Sequence, residues 1–304
     1  MNRREFLIRS SMITTGALMP RKIVKLFQES PFRPVRGDVG YFLGRGGTIG
    51  WLSNTDALVA VDSQYPQSAQ AFISGMKERN TRTMDYLINT HHHGDHTGGN
   101  KEFLGYADHI LAHENVPGLQ KAAAENRGPE TVANQAYADE TYTGKWSNDM
   151  GSEKVHCMNY GPGHTGGDTV VYFEKANVAH MGDLVFNRVY PFIDRNGKAD
   201  IANWIKVLRT TADELESDTI YLFGHGNPEF GVQGSKEDLI RKSDYLEALF
   251  AYTQKSVNEG RSLEEMSEIR QLKSFEEFNL EGWSLSLASN IQAAYLEITE
   301  GTVK

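Results

Sequence analysis

The stretch Asn89–Asn100, NTHHHGDHTGGN, places four histidines and one aspartate within a dozen residues. In an extended chain alternate side chains point the same way. His91 and His93 can therefore converge on one point while His92, between them, points aside. Gly94 lets the backbone bend, so Asp95 and His96 follow in a different direction. The HxHxDH spacing thus offers two nitrogens to one ion, and an oxygen plus a nitrogen to a neighbouring one. Neither pair fills a tetrahedral shell, so the remaining ligands must come from elsewhere in the chain.

Working outward, MDYLINT reads as a strand that ends just before the cluster, and ALVAVD as a buried strand that ends at Asp62. Between them PQSAQAFISGMKERN has helical spacing, with charge at its C-terminal end. Further upstream YFLGRGGTIGWL reads as two strands joined by a glycine-rich hairpin. It is not a dinucleotide fingerprint, because counting GxGxxG from Gly44 puts Ile49 where the third glycine belongs. After HILAH comes a polar segment, Glu114 to Lys154, expected to be helix and loops without a strand. KVHCMNY, DTVVYF, NVAHMGD and TIYLFGHG form a second set of strands, with the helix IANWIKVLRTTADEL between the last two. From Ser235 onward the pattern is mainly helical, EDLIRKSDYLEALFAYTQKSV being the longest segment. Two strand-rich halves flanked by helices predict an α/β fold with helix layers outside a pair of packed sheets.

Three of these strands end in further ligand candidates: GPGHTGGD supplies His164, HMGDLVF supplies Asp183, and LFGHGNP supplies His225. Flanking glycines allow a sharp turn and close backbone approach at each. Strand ends that converge on one rim are where open α/β folds build their sites. With the HxHxDH run, the GHT turn, the Gly182–Asp183 pair and the GHG around His225, the chain resembles the metallo-β-lactamase superfamily from roughly residue 36 to 230. The resemblance implies a four-layer αβ/βα sandwich with a dinuclear metal site on one edge. It assigns His91, His93 and His164 to a first metal, Asp95, His96 and His225 to a second, and Asp183 to both. Asp62 matches the family's buried aspartate that orders the histidine loop without ligating.

Imidazoles and carboxylates suit zinc, and two ions are expected per chain, with manganese or iron as substitutes. Such a pair lowers the pKa of a bound water to about 7 and stabilises attacking and leaving oxygens. The implied activity is hydrolysis of a small ester, thioester, lactone or amide, with Asp95 both holding a metal and receiving the proton. Tyr190, close after Asp183, is a candidate oxyanion donor. Thr97 and Thr165 are candidates to hydrogen-bond the free atoms of the ligands beside them, and Trp51 and Trp146 to line an apolar pocket or fill core. His92, His109, His113, His156 and His180 read as strand or surface residues, and Cys157 as a small buried hydrophobe. Aspartate at 183 stands where metal-binding cysteine occurs in the β-lactamases that carry one, and is instead what glyoxalase II-like thioesterases and lactonases show. β-Lactam hydrolysis, or non-catalytic metal binding on the same scaffold, are the alternative readings.

The 304-residue chain is 39% hydrophobic and carries a formal charge of -9. That balance fits a globular protein and argues against nucleic acid as a partner, since phosphate binding needs clustered Lys and Arg. The expected partner is a small-molecule substrate; oligomeric state is not legible. One cysteine excludes an intrachain disulfide. The opening MNRREFLIRSSMITTGALMPRK pairs Arg3 and Arg4 ahead of a modest apolar run, too short for a permanent membrane span. It resembles a twin-arginine export signal, which predicts a signal and linker over residues 1–35, a hydrolase domain over 36–304, and a periplasmic or secreted location.

Overall fold

The structure, a computed structural model, describes residues 30–278, 280 and 285–303. The Arg3–Arg4 segment, and with it the export reading, lies outside the described residues. Strands β1 (Phe32–Arg36), β2 (Val39–Phe42), β3 (Ile49–Ser53), β4 (Leu58–Val61), β5 (Met84–Asn89), β6 (Ala107–His113) and β7 (Glu140–Tyr142) lie in that order in a seven-stranded sheet. β1 to β4 form an antiparallel meander, whereas β4 to β7 run parallel. Parallel neighbours need a crossover, and the helix Pro66–Arg79 supplies the one between β4 and β5.

A six-stranded sheet contains β8 (Lys145–Met150), β9 (Glu153–Met158), β10 (Val170–Phe173), β11 (Val178–His180), β13 (Ile220–Leu222) and β15 (Gln233–Gly234), ordered β15-β13-β11-β10-β9-β8. β12 (Phe186–Asn187) and β14 (His225–Gly226) pair beside it. The helix Ile201–Glu214 starts at Asp200, whose side chain accepts from the Asn203 amide at 2.7 Å, satisfying a donor that the first turn leaves open.

The all-apolar strands are explained by layering, since a strand covered on both faces loses the polar alternation of a half-exposed one. In β4, Val59 and Val61 face the space between the sheets, while Leu58 and Ala60 face the helix Pro66–Arg79 through Phe72 and Met76. In β10, Val171 and Phe173 meet Val59, Val61 and Ile88 in the central core. Val170 and Tyr172 instead pack with Trp204, Tyr245 and Ile291 of the helices Ile201–Glu214, Lys236–Asn258 and Leu287–Glu300. Three apolar layers therefore separate helix, sheet, sheet and helix, which is the αβ/βα sandwich. Each fully buried large apolar side chain contributes about 1.5–3 kcal/mol.

Two details differ from the sequence reading. The folded unit opens at Phe32, with β1 already in the sheet and Phe32 stacked on Phe72 at 5.6 Å. Pro34 hides this strand in sequence, and at a sheet edge its missing N–H is tolerated. The segment 114–154 also carries β7 and β8. β8 alternates exposed and half-buried residues at the edge of its sheet, so KWSNDM has almost no apolar signal. No helix among the described residues is long and apolar enough to cross a membrane.

Candidate metal centre

Strand register brings the scattered residues together. β4 and β5 are parallel with Val61 opposite Ile88, so Asp62, one residue past β4, sits beside Thr90 and His91. β11 and β13 are parallel with His180 opposite Leu222, and Asp183 and His225 each follow three residues later. His164 enters from the loop between β9 and β10. All seven expected ligands meet at the rim where the two sheets end.

They form two groups around Asp183. His91 Nε2 and His164 Nε2 lie 3.1 and 3.0 Å from His93 Nδ1, and 3.7 and 3.6 Å from Asp183 Oδ2. On the other side His96 Nε2 and His225 Nε2 lie 3.0 and 3.5 Å from Asp183 Oδ1, and 3.8 and 3.1 Å from Asp95 Oδ2. Ligands at about 2.0–2.1 Å around a tetrahedral ion are about 3.3 Å apart. Both groups have that spacing, and the two oxygens of one carboxylate face different groups. Asp183 Oδ1 is buried and faces only the ring nitrogens of His96 and His225, at 3.0 and 3.5 Å, an arrangement of lone-pair donors that is costly in a buried site unless a cation lies among them. The residues present therefore fit divalent metal.

The outward nitrogens are tied down, which fixes which nitrogen points in. His96 Nδ1 is 2.7 Å from Asp62 Oδ2, and His164 Nδ1 donates to the Phe192 carbonyl at 2.8 Å. His93 presents Nδ1 to the site because its Nε2 is held 2.8 Å from Asp194. His91 Nδ1 is 3.0 Å from Thr90 Oγ1, whose hydroxyl donates to Asp62 Oδ2 at 2.7 Å. The Thr90 amide donates to Asp62 Oδ1, also at 2.7 Å. One buried aspartate thus anchors a histidine of each group. Its backbone has φ of 66°, a left-handed conformation that costs a non-glycine residue of order 1–3 kcal/mol.

Two glycines are required here. A Cβ on Gly224 would stand 2.0 Å from Asp183 Oδ1, and one on Gly182, at φ +51, would stand 2.5 Å from Thr90 Oγ1. Replacing either displaces the bridging carboxylate or the hydroxyl that steadies His91.

Electrostatics separates the groups. Burial, with repulsion from His96, holds His91 well below the usual imidazole range, and burial with His93 lowers His164 to about 3. Burial also opposes protonation of His96 and His225, but Asp183, Asp62 and Asp95 overcome it at His96, and Asp183 and Asp95 raise His225 to about 9. Asp183 is held well below the carboxylate range and Asp95 at about 2, because the facing histidines outweigh desolvation. His91 and His164 offer neutral lone pairs, while His96 and His225 hold protons that a metal must displace.

The chain belongs to the metallo-β-lactamase superfamily. The family model described as metallo-beta-lactamase superfamily matches residues 70–225, just over half of the chain. A hydroxyacylglutathione hydrolase of Crocosphaera subtropica is 31% identical over 170 residues, 53% of this chain and 61% of the relative. The 2,4-dinitroanisole O-demethylase subunit alpha of a Nocardioides species is 29% identical over 156 residues, 50% of this chain and 45% of the relative. The chain thus spans about half the length of the curated relatives it matches. Among solved structures, the stereoselective inverting sec-alkylsulfatase Pisa1 from Pseudomonas sp. superposes with a TM-score of 0.69 at 12% identity, over 89% of this chain and 50% of that one. That likeness is one of fold.

Other residues singled out in the sequence take different places in this superfamily scaffold. Tyr190 packs under the long helix with its ring 6.1 Å from Tyr245, and the residues that line the cleft do not include it. Thr97 Oγ1 donates to the His93 carbonyl and Thr165 Oγ1 to Asp168, so both stabilise turns instead of ligand rings. Trp51 and Trp146 pack against the cores. Cys157 is fully buried, and burial pushes its thiol up to about 13. His113 and His180 are buried on β6 and β11 and His92 is buried in the loop after β5, while His109 and His156 pair with Asp139 and Glu174 near the surface.

Asp194, Arg127 and Phe192 were not found from sequence. Asp194 holds both His93 and, at 3.3 Å, His92. Nothing about FID at that point in the chain distinguishes it from a turn.

Proposed function

We propose that the protein is a dinuclear zinc-dependent hydrolase of a small ester, thioester, lactone or amide, acting in the periplasm or outside the cell. The observation that carries the reading is Asp183, whose Oδ2 faces His91 and His164 and whose Oδ1 faces His96 and His225. The hydroxyacylglutathione hydrolases among the relatives support a hydrolytic role. When bound, such cations bring the pKa of a coordinated water near 7 and polarise a substrate carbonyl or its equivalent.

The chain's own residues do the rest. His91, His93 and His164 would hold one cation, Asp95, His96 and His225 the other, and Asp183 both. Asp95 is 26% exposed against 3% for Asp183, so it is the carboxylate that an incoming water can reach. In this reading Asp95, whose Oδ2 shares the second group with His225 Nε2 at 3.1 Å, takes up and relays the proton through its remaining carboxylate oxygen. Tyr65, Phe186 and Phe192 wall the cleft with aromatic surface, which excludes bulk water and strengthens the electrostatics inside. Zinc is the resident metal on ligand type, with manganese or iron able to replace it. The location rests on the twin-arginine-like opening of the chain.

Metal analysis of the purified protein tests the first part: about two ions per chain are expected. Turnover of a panel of chromogenic esters, lactones, thioesters and cephalosporins, with and without chelator, tests the second. Metal content without chelator-sensitive turnover would contradict the hydrolase reading. Replacing Arg3 and Arg4 by lysine should abolish export of a reporter carrying residues 1–35, and unchanged export would remove the assignment of location.

A further inference from the structure

The cleft over the metal centre has two neighbours that ligand binding leaves unexplained. One is Arg127, the last residue of the helix Asn115–Arg127. Among the described residues it is the only Lys or Arg that lines the cleft. Its guanidinium makes no ion pair or hydrogen bond among those residues. It lies against the ligand loop: a Cβ on Gly94, between the ligands His93 and Asp95, would stand 3.0 Å from Arg127 Nη1. The glycine thus leaves the space that the guanidinium uses.

The other neighbour is a groove of about 260 Å³ between the segment 191–196 and the helix Leu287–Glu300. Ile193, Ala293 and Leu296 form its apolar lining, and Phe192 and Leu285 border both it and the cleft. Phe192 is 43% exposed, although its backbone carbonyl holds His164 and its ring lies 5.4 Å from that of His93. An aromatic side chain left part-open on a segment otherwise tied to a metal ligand gives up the stabilisation that fuller burial would bring. It also makes an apolar doorway from the reacting centre to the groove.

We infer that the site takes an anionic amphiphile: a substrate with an oxyanion group that pairs with Arg127 and an apolar chain that passes Phe192 into the groove. This rests on the hydrolase reading for the reaction, but the recognition itself is read from surfaces outside the ligand set. Arginine suits a carboxylate, sulfate or phosphate because its planar fork of donors matches their oxygens. The apolar groove contributes in proportion to the area it covers.

Equilibrium binding to the metal-loaded full chain tests it without turnover, using butanoate and decanoate as probes in calorimetry. Decanoate should bind at least tenfold more tightly than butanoate. Arg127→Gln should weaken both about five- to tenfold and keep their ratio. Gln292→Trp, at an exposed groove position, should flatten the ratio and leave butanoate unchanged. Equal affinity for the two acids in the unaltered protein would overturn the groove assignment, and an unaltered affinity in Arg127→Gln would overturn the anion assignment. Circular dichroism of both variants excludes unfolding as the cause. If the binding pattern holds while no ester or thioester turns over, the hydrolase reading fails and the recognition stands.

Discussion

Asp62→Asn tests how the metal centre is organised. Asp62 is fully buried and accepts three hydrogen bonds, from the Thr90 amide, the Thr90 hydroxyl and the His96 Nδ1–H. Asparagine keeps the shape but puts an NH2 where Oδ2 was, and that group only donates. Keeping its hydrogen bonds would require Thr90 Oγ1 and His96 Nδ1 to become acceptors. The proton would then move to His96 Nε2, and the turned Thr90 hydroxyl would donate to His91 Nδ1, which moves the proton to His91 Nε2. Each is the nitrogen that points into the candidate metal centre, one in each group. Loss of such an outer partner costs a ligand 10–100-fold in metal affinity, or about 1.4–2.7 kcal/mol per site. Titration against a chromophoric chelator should therefore show both ions bound 10–100-fold more weakly, with the fold retained by circular dichroism. Unchanged affinity at both sites would refute the reasoning. Weakening confined to one site would show that Thr90 does not transmit the anchor to His91.

Asp183→Asn should reduce both metal occupancy and turnover by at least a hundredfold, because one carboxylate serves both groups; full occupancy by elemental analysis would contradict the bridging geometry. The low pKa of His164 and the raised pKa of His225, about 3 and about 9, predict unequal loading. Near pH 6 His91 and His164 are already neutral while His96 and His225 must release protons, so metal content should rise from about one ion per chain to two as pH increases to 8–9; equal occupancy at both pH values would refute this. Lys242 is 1% exposed, its ammonium lacks a hydrogen-bond partner, and four rings surround it at 5.1–5.8 Å. Burial holds its pKa well below 10.5 against the pull of Asp183, so below 10.5 the unfolded chain binds a proton that the folded chain resists. Lys242→Met should therefore stabilise by about 1–3 kcal/mol at pH 7, with the gain shrinking as pH approaches 10.5; urea denaturation that shows destabilisation at pH 7 would refute it.

What could be read in the amino-acid order is what local geometry controls. Period-two alternation puts His91 and His93 on one side of the chain, and the glycine after them turns Asp95 and His96 toward another point. Glycine-flanked strand ends marked His164, Asp183 and His225. The apolar run ALVAVD marked a buried strand, and two strand-rich halves flanked by helices indicated the layered fold. The contacts between distant segments were not legible. His93 turns Nδ1 into the ligand cluster because Asp194, 101 residues away, takes Nε2. Tyr190 is buried because the long helix closes over it, and Arg127 reaches the cleft because its helix ends beside Gly94. Spacing along a chain determines which side chains can share a direction. Burial, tautomer and the choice of nitrogen depend on what another element places opposite, and only the folded arrangement of sheets and helices decided those.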